Sequence, residues 1–119
     1  MGYESKLIVV NKFVGSTNIF GEVIAEINLS CMPNAFFEDS VFVNEIGKQV
    51  LVIRGEEVNT DCYGKKLTYA SADDVLKVLY KCESVEHYRR TQLAISVIEC
   101  FCNSTNWDSD NICIFHYGY

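Results

Sequence analysis

The last nine residues, NICIFHYGY (111–119), carry the clearest pattern in the chain. Ile112, Ile114 and His116 fall on one side of an extended segment and Cys113, Phe115 and Tyr117 on the other. Both sides are mainly apolar, which fits a strand covered on two faces and not an edge strand with one wet face. The spacing therefore predicts that this segment lies inside its own sheet.

The first half also reads as strands. Residues 6–10 form a short β-branched run, and a loop rich in Gly, Ser and Asn at 14–18 separates it from residues 22–29. In that second run Val23, Ala25, Ile27 and Leu29 alternate with Ile24, Glu26 and Asn28, the period of a strand with one better-buried side. A hairpin with a long connecting loop follows from this. Residues 31–44 combine a turn signal at Pro33-Asn34 with apolar Phe36, Phe37, Val41, Phe42 and Val43, so an irregular segment or short helix plugging the core is favoured over a strand. Residues 48–54 read as one strand after the Gly47 turn, with Gly55 ending it and 56–60 as a polar connector. Tyr63-Gly64 marks another turn before a short strand at 66–70.

Two helices come next. Ser71-Ala72-Asp73-Asp74 offers a hydroxyl to the orphan N–H groups and two carboxylates to the positive helix start. Val75, Leu76, Leu79 and Cys82 then share one face. Ser84 is placed to cap a second helix with the stripe Leu93, Ala94, Val97, Ile98 and Phe101, and Asn103 is a natural exit. A loop at 104–110 leads into the last strand. The order of elements predicts an α+β fold: a mostly antiparallel sheet, two consecutive helices packed on one face, and a buried C-terminal strand.

Composition narrows the class. The 119 residues are 49% apolar and 22% charged with a single proline, the balance of one compact domain over 1–119. The net charge of −6 disfavours general binding to nucleic-acid phosphates. It is uneven, with eight acidic against four basic residues in 1–60 and eight against six in 61–119. Six cysteines at 31, 62, 82, 100, 102 and 113 are too sparse for a disulfide scaffold. With no secretory leader pattern in MGYESK and no apolar run long enough for a bilayer, reduced thiols in a cytoplasmic protein are expected.

Candidate chemistry is thin. Cys100, Cys102, Cys113 and His116 are donors that zinc accepts, but residues two apart on a helix diverge by roughly 200°. Cys113 and His116, three apart on a strand, face opposite sides, so no metal and no other cofactor is expected. Nucleophilic catalysis needs a nucleophile, a base in reach and an orienting group. The two histidines, His87 and His116, sit in a polar helix start and a buried strand, and no catalytic constellation is expected. His87, Arg89 and Arg90 form the best local candidate for binding an anion such as a nucleotide, with a homodimer interface as one place for it. A solvated helix face explains the same residues. Glu56, Glu57, Trp107 and Tyr119, the last as part of the closing Tyr117-Gly118-Tyr119, are the candidates for contact with a protein partner. For Trp107, a lid on the core and an anchor for a partner both stay open.

The segments MGYESKL, DCYGKKL, HYRR and IFHYGY, touching about a quarter of the chain, resemble the small acidic accessory proteins of bacteriophages and prophages. That resemblance implies a non-enzymatic protein in the host cytoplasm. Such a protein binds a host protein stoichiometrically, for example as an inhibitor of a defence nuclease. Sequestration of a small anionic ligand is the alternative.

Overall fold

The computed structural model describes residues 5–15, 18–29, 41–81 and 88–118. Strand β1 (Ser5–Lys12) pairs antiparallel with β2 (Gly21–Asn28) on one side and with β7 (Ile112–Gly118) on the other. β7 in turn pairs with β6 (Thr68–Ser71), and β6 with the two-residue β3 (Asn44–Glu45). The sheet therefore runs β2-β1-β7-β6-β3, antiparallel throughout. β1, β7 and β6 are its inner strands, and β1 and β7 are the long ones. Their alternate residues go to opposite cores, as the two apolar faces of 112–118 require.

On one face Leu7, Val9, Ile112 and Ile114 meet Val75 and Leu79 of helix α1 (Ala72–Lys81), and Ala94 and Ile98 of helix α2 (Tyr88–Asn103). Both helices thus cover the same side of the sheet. Ser71 caps α1 by accepting the Asp74 N–H at 3.2 Å, as its sequence signal implies. On the other face Ile8, Val10, Cys113 and Phe115 meet Phe20, Leu51 and Leu67. Phe20, Tyr69 and Phe115 form an aromatic cluster there, with Phe20 and Phe115 edge to face at 4.9 Å.

Four local expectations are corrected. The β1–β2 register shifts between Val9 and Val10, leaving Ile24 without a partner in the ladder. This bulge sends Val23 to the hairpin-side core while Ile24, Ala25 and Ile27 stay on the helix side, so the alternation read from 22–29 breaks halfway. The run 48–54 is not one strand. Only Leu51–Ile53 (β4) is extended, and it folds back onto Glu56–Val58 (β5), the segment expected to be a connector. Arg54 and Gly55, with φ of 53° and 85°, make the two-residue turn with both residues left-handed that suits a twisted hairpin. Finally, α2 turns Thr91, Ala94, Ile95 and Ile98 inward and leaves Leu93 56% exposed. Ala94 and Ile98 of the stripe read in the sequence are buried and Val97 and Phe101 pack against the same core, so only Leu93 departs from it, with Thr91 and Ile95 buried beside the rest. The expectations for Cys82, Ser84 and residues 31–40 fall outside the described residues; of the rest of 31–44, Val41 and Phe42 pack on the helix-side core.

Gly21 is required by close approach. A Cβ there would collide with the Asn11 carbonyl oxygen and with Val10 on the neighbouring strand. Among the described residues no helix is long and apolar enough to cross a membrane.

Candidate functional site

Where the ends of β1, β2 and β7 meet the β4–β5 hairpin, the hairpin-side core gives way to a charged groove. The ladder explains its floor. Lys6 pairs with Asn28 on one side and with Tyr117 on the other, so all three side chains form one row across the sheet. The next row on the same face is Glu26, Ile8 and Phe115. Lys6 and Glu26 are thus diagonal neighbours, close enough for long side chains to meet. Lys6 Nζ stands 2.7 Å from Glu26 Oε1 and 5.0 Å from the centre of the Tyr117 ring.

The hairpin supplies the other wall. Its turn brings Arg54 to 3.7 Å from the same Glu26 oxygen, and Glu56, Ile53 and Val58 also line the groove. The enclosed volume is about 520 Å³, open to solvent on one side. That lies within the range of small-ligand pockets.

Behind Tyr117 the loop at 61–65 is tied down by the buried Asp61. Its carboxylate accepts the backbone N–H of Tyr63 at 2.8 Å and of Lys65 at 3.0 Å. The Cys62 N–H donates to the Gly118 carbonyl at 3.2 Å, which fixes the loop to the end of β7. Cys62 Sγ and the Tyr117 hydroxyl share a hydrogen bond at 3.4 Å. That bond, with partial burial and the nearby charges of Asp61 and Glu56, pushes the phenol up to about 12. Tyr117 is accordingly a protonated, neutral group at physiological pH.

No protein-family model, curated protein or solved structure matches this chain.

The residues singled out in the sequence do not gather at one place. Glu56 lines the groove, and Glu57 stands exposed beside it on β5, opposite Val52. Trp107 is on the other side of the sheet, half-buried against the helix-side core and edge to face with Phe101 at 5.9 Å. Arg89 and Arg90 lie in the first turn of α2, while His87 and Tyr119 fall outside the described residues. The groove residues that sequence reasoning missed are Lys6, Glu26, Arg54 and Cys62, whereas Tyr117 belongs to the closing segment read as a contact for a partner. The only signal for them was polar residues at matching ends of apolar strands, which becomes a site only once the register is known.

The groups read as candidates for metal or acid–base chemistry are held apart. Cys113 faces the hairpin-side core and His116 the opposite face, and burial pushes the Cys113 thiol up. On α2, Cys100 is exposed, whereas the Cys102 thiol is pushed up by burial and by Asp73 and Glu99. Among the described residues no three His, Cys, Asp or Glu side chains are grouped to hold a metal ion. His116 is buried, with Nε2 3.1 Å from the Ser5 hydroxyl and its ring 5.7 Å from that of Phe42. Burial, with Lys65 adding to it against Asp61, lowers its pKa to about 4.

Proposed function

We propose that this protein works by stoichiometric binding of a protein partner, with the groove beside the β4–β5 hairpin as its contact surface. The observation that carries this reading is the mixed lining of that groove. Lys6, Glu26, Arg54 and Glu56 bring charges of both signs to a half-open surface between the β1 and β2 strand ends and the β4–β5 hairpin. Charges of both signs set register and partner choice, and they reject surfaces of uniform sign. Among the described residues, His116 lies buried against Ser5, Cys113 is in the core, and Tyr117 holds its proton. Together with the resemblance to phage accessory proteins, this makes an inhibitor of a host protein, acting in the host cytoplasm, the role we assign.

The reading is tested by recovering the tagged protein gently from a bacterial lysate and weighing it by native mass spectrometry. The expected result is a complex of fixed stoichiometry with the parent chain. It should be missing with the charge-reversed Arg54→Glu/Glu56→Lys double variant. A complex retained by that variant places the contact elsewhere, and a small-molecule adduct on both chains argues against a protein partner.

A further inference from the structure

One wall of the groove is attached differently from the others. Lys6, Glu26, Asn28 and Tyr117 stand on the hydrogen-bonded ladder of the five-stranded sheet, and Cys62 is fixed to the end of β7. The β4–β5 hairpin is instead a two-stranded sheet of its own. Among the described residues its backbone is bonded to the rest of the molecule only at its roots. At one root the Val50 N–H donates to the Asn18 carbonyl at 3.0 Å and the Phe20 N–H to the Val50 carbonyl at 2.9 Å. At the other the Leu67 N–H donates to the Asn59 carbonyl at 2.9 Å.

Burial falls off from those roots to the turn. Leu51 is fully buried, Ile53 and Val58 are half-buried against the same core, and the Arg54 side chain is 78% exposed. Among the described residues the polar tie from the turn to the sheet is Arg54 to Glu26, at 3.7 Å an ion pair too long for a hydrogen bond. An exposed pair of that kind contributes little. The hairpin is thus seated at its base and weakly held at its tip, and segments with few buried contacts are the ones that open locally. Its two roots, Val50 and Asn59, lie at the ends of β4 and β5, where hinges absorb backbone rotation.

We infer that the β4–β5 hairpin is a lid on the groove, pivoting at Val50 and Asn59 with Arg54 and Glu26 as its latch. Closing draws the guanidinium onto the Glu26 carboxylate and narrows the mouth, and lifting the tip widens it for an occupant. Leu51, nearest the roots, stays seated in the core, so the travel is largest at Arg54 and Gly55. The rungs from Leu51–Val58 to Ile53–Glu56 lie within the moving piece and stay paired in both positions. The motion belongs to the free chain, so it stands or falls apart from the identity of any partner.

The test uses the full chain, isotope-labelled and without ligand. Relaxation dispersion of backbone amides is recorded over residues 52–58 and at Lys6, Glu26 and Tyr117. Lid motion falls in the microsecond-to-millisecond window, so the hairpin tip and the groove floor should exchange with one shared rate constant. Arg54→Asn removes the latch while suiting the left-handed turn, and should raise the open population about twofold. Raising salt from about 0.02 M to about 0.5 M should do the same to the parent and nothing to Arg54→Asn. Flat profiles, or exchange confined to the hairpin over a still floor, overturn the inference. So does an open population that Arg54→Asn leaves unchanged, or salt acting equally on parent and variant.

Discussion

The two faces of the sheet share strands β1 and β7 but are closed in different ways. The helix side is sealed by α1 and α2, whose aliphatic side chains stack directly on Leu7, Val9, Ile112 and Ile114. The hairpin side is closed by aromatic rings and two three-residue strands, and its cover runs out where Lys6 and Tyr117 reach the end of the ladder. A short cover leaves polar strand ends accessible over a rigid floor. That is why the groove is on this side, and why the residues around it are charged.

The comparison is broken most severely by removing the largest side chain of the hairpin-side core. Phe115→Ala should cost about 3–5 kcal/mol, read from urea unfolding. It should also shift the resonances of Tyr117 and Cys62, because the groove floor rests on the same strand. Leu79→Ala on the helix side should cost roughly 2–5 kcal/mol while leaving those resonances in place. Equal disturbance of the groove by both variants would mean that the two sides are not independent.

His116 faces the helix side with Ser5, and it makes stability depend on pH. Its folded pKa of about 4 lies below the unfolded value of 6.5, so the unfolded chain takes up a proton first. The contribution is complete above pH 6.5 and declines as pH falls towards 4, by up to about 3 kcal/mol. The parent should lose more stability than His116→Gln across that window. A constant difference between the two would show that the histidine titrates as it does in water.

Smaller effects follow at the two turns into helix and hairpin. Ser71→Ala removes the acceptor for the Asp74 N–H and should cost about 1 kcal/mol without moving the groove resonances. Arg54→Asn should instead stabilise the chain by roughly 0.5 kcal/mol, since asparagine tolerates a positive φ better than arginine. A destabilised Arg54→Asn would mean that the approach to Glu26 outweighs the strain of the turn.

What could be read from the sequence were the features that a few neighbouring residues decide. The two apolar faces of 112–118, the Ser71 cap and the helix exit at Asn103 are all local patterns, and the α+β arrangement followed from them. What could not be read depended on partners far along the chain. The β4–β5 hairpin hides because Arg54-Gly55 is not the Asn-Gly or Asp-Gly signal of such a turn. The bulge at Ile24 exists only in the pairing with Val9 and Val10. The groove is legible least of all, since Lys6, Glu26, Arg54 and Tyr117 meet only after the register of three strands is set.

The pairing of β1 with β7 has a consequence for how the molecule comes into being. Ser5 and His116, bonded across this pair, are 111 residues apart, so the inner seam of the sheet closes a very long loop. Such closure is slow, because its entropy is lost before the seam's contacts form. A chain severed at the Arg54–Gly55 turn would leave β1 on one piece and β7 on the other. Neither piece could then bury its share of either core, and the two should recover the fold only by assembling with each other.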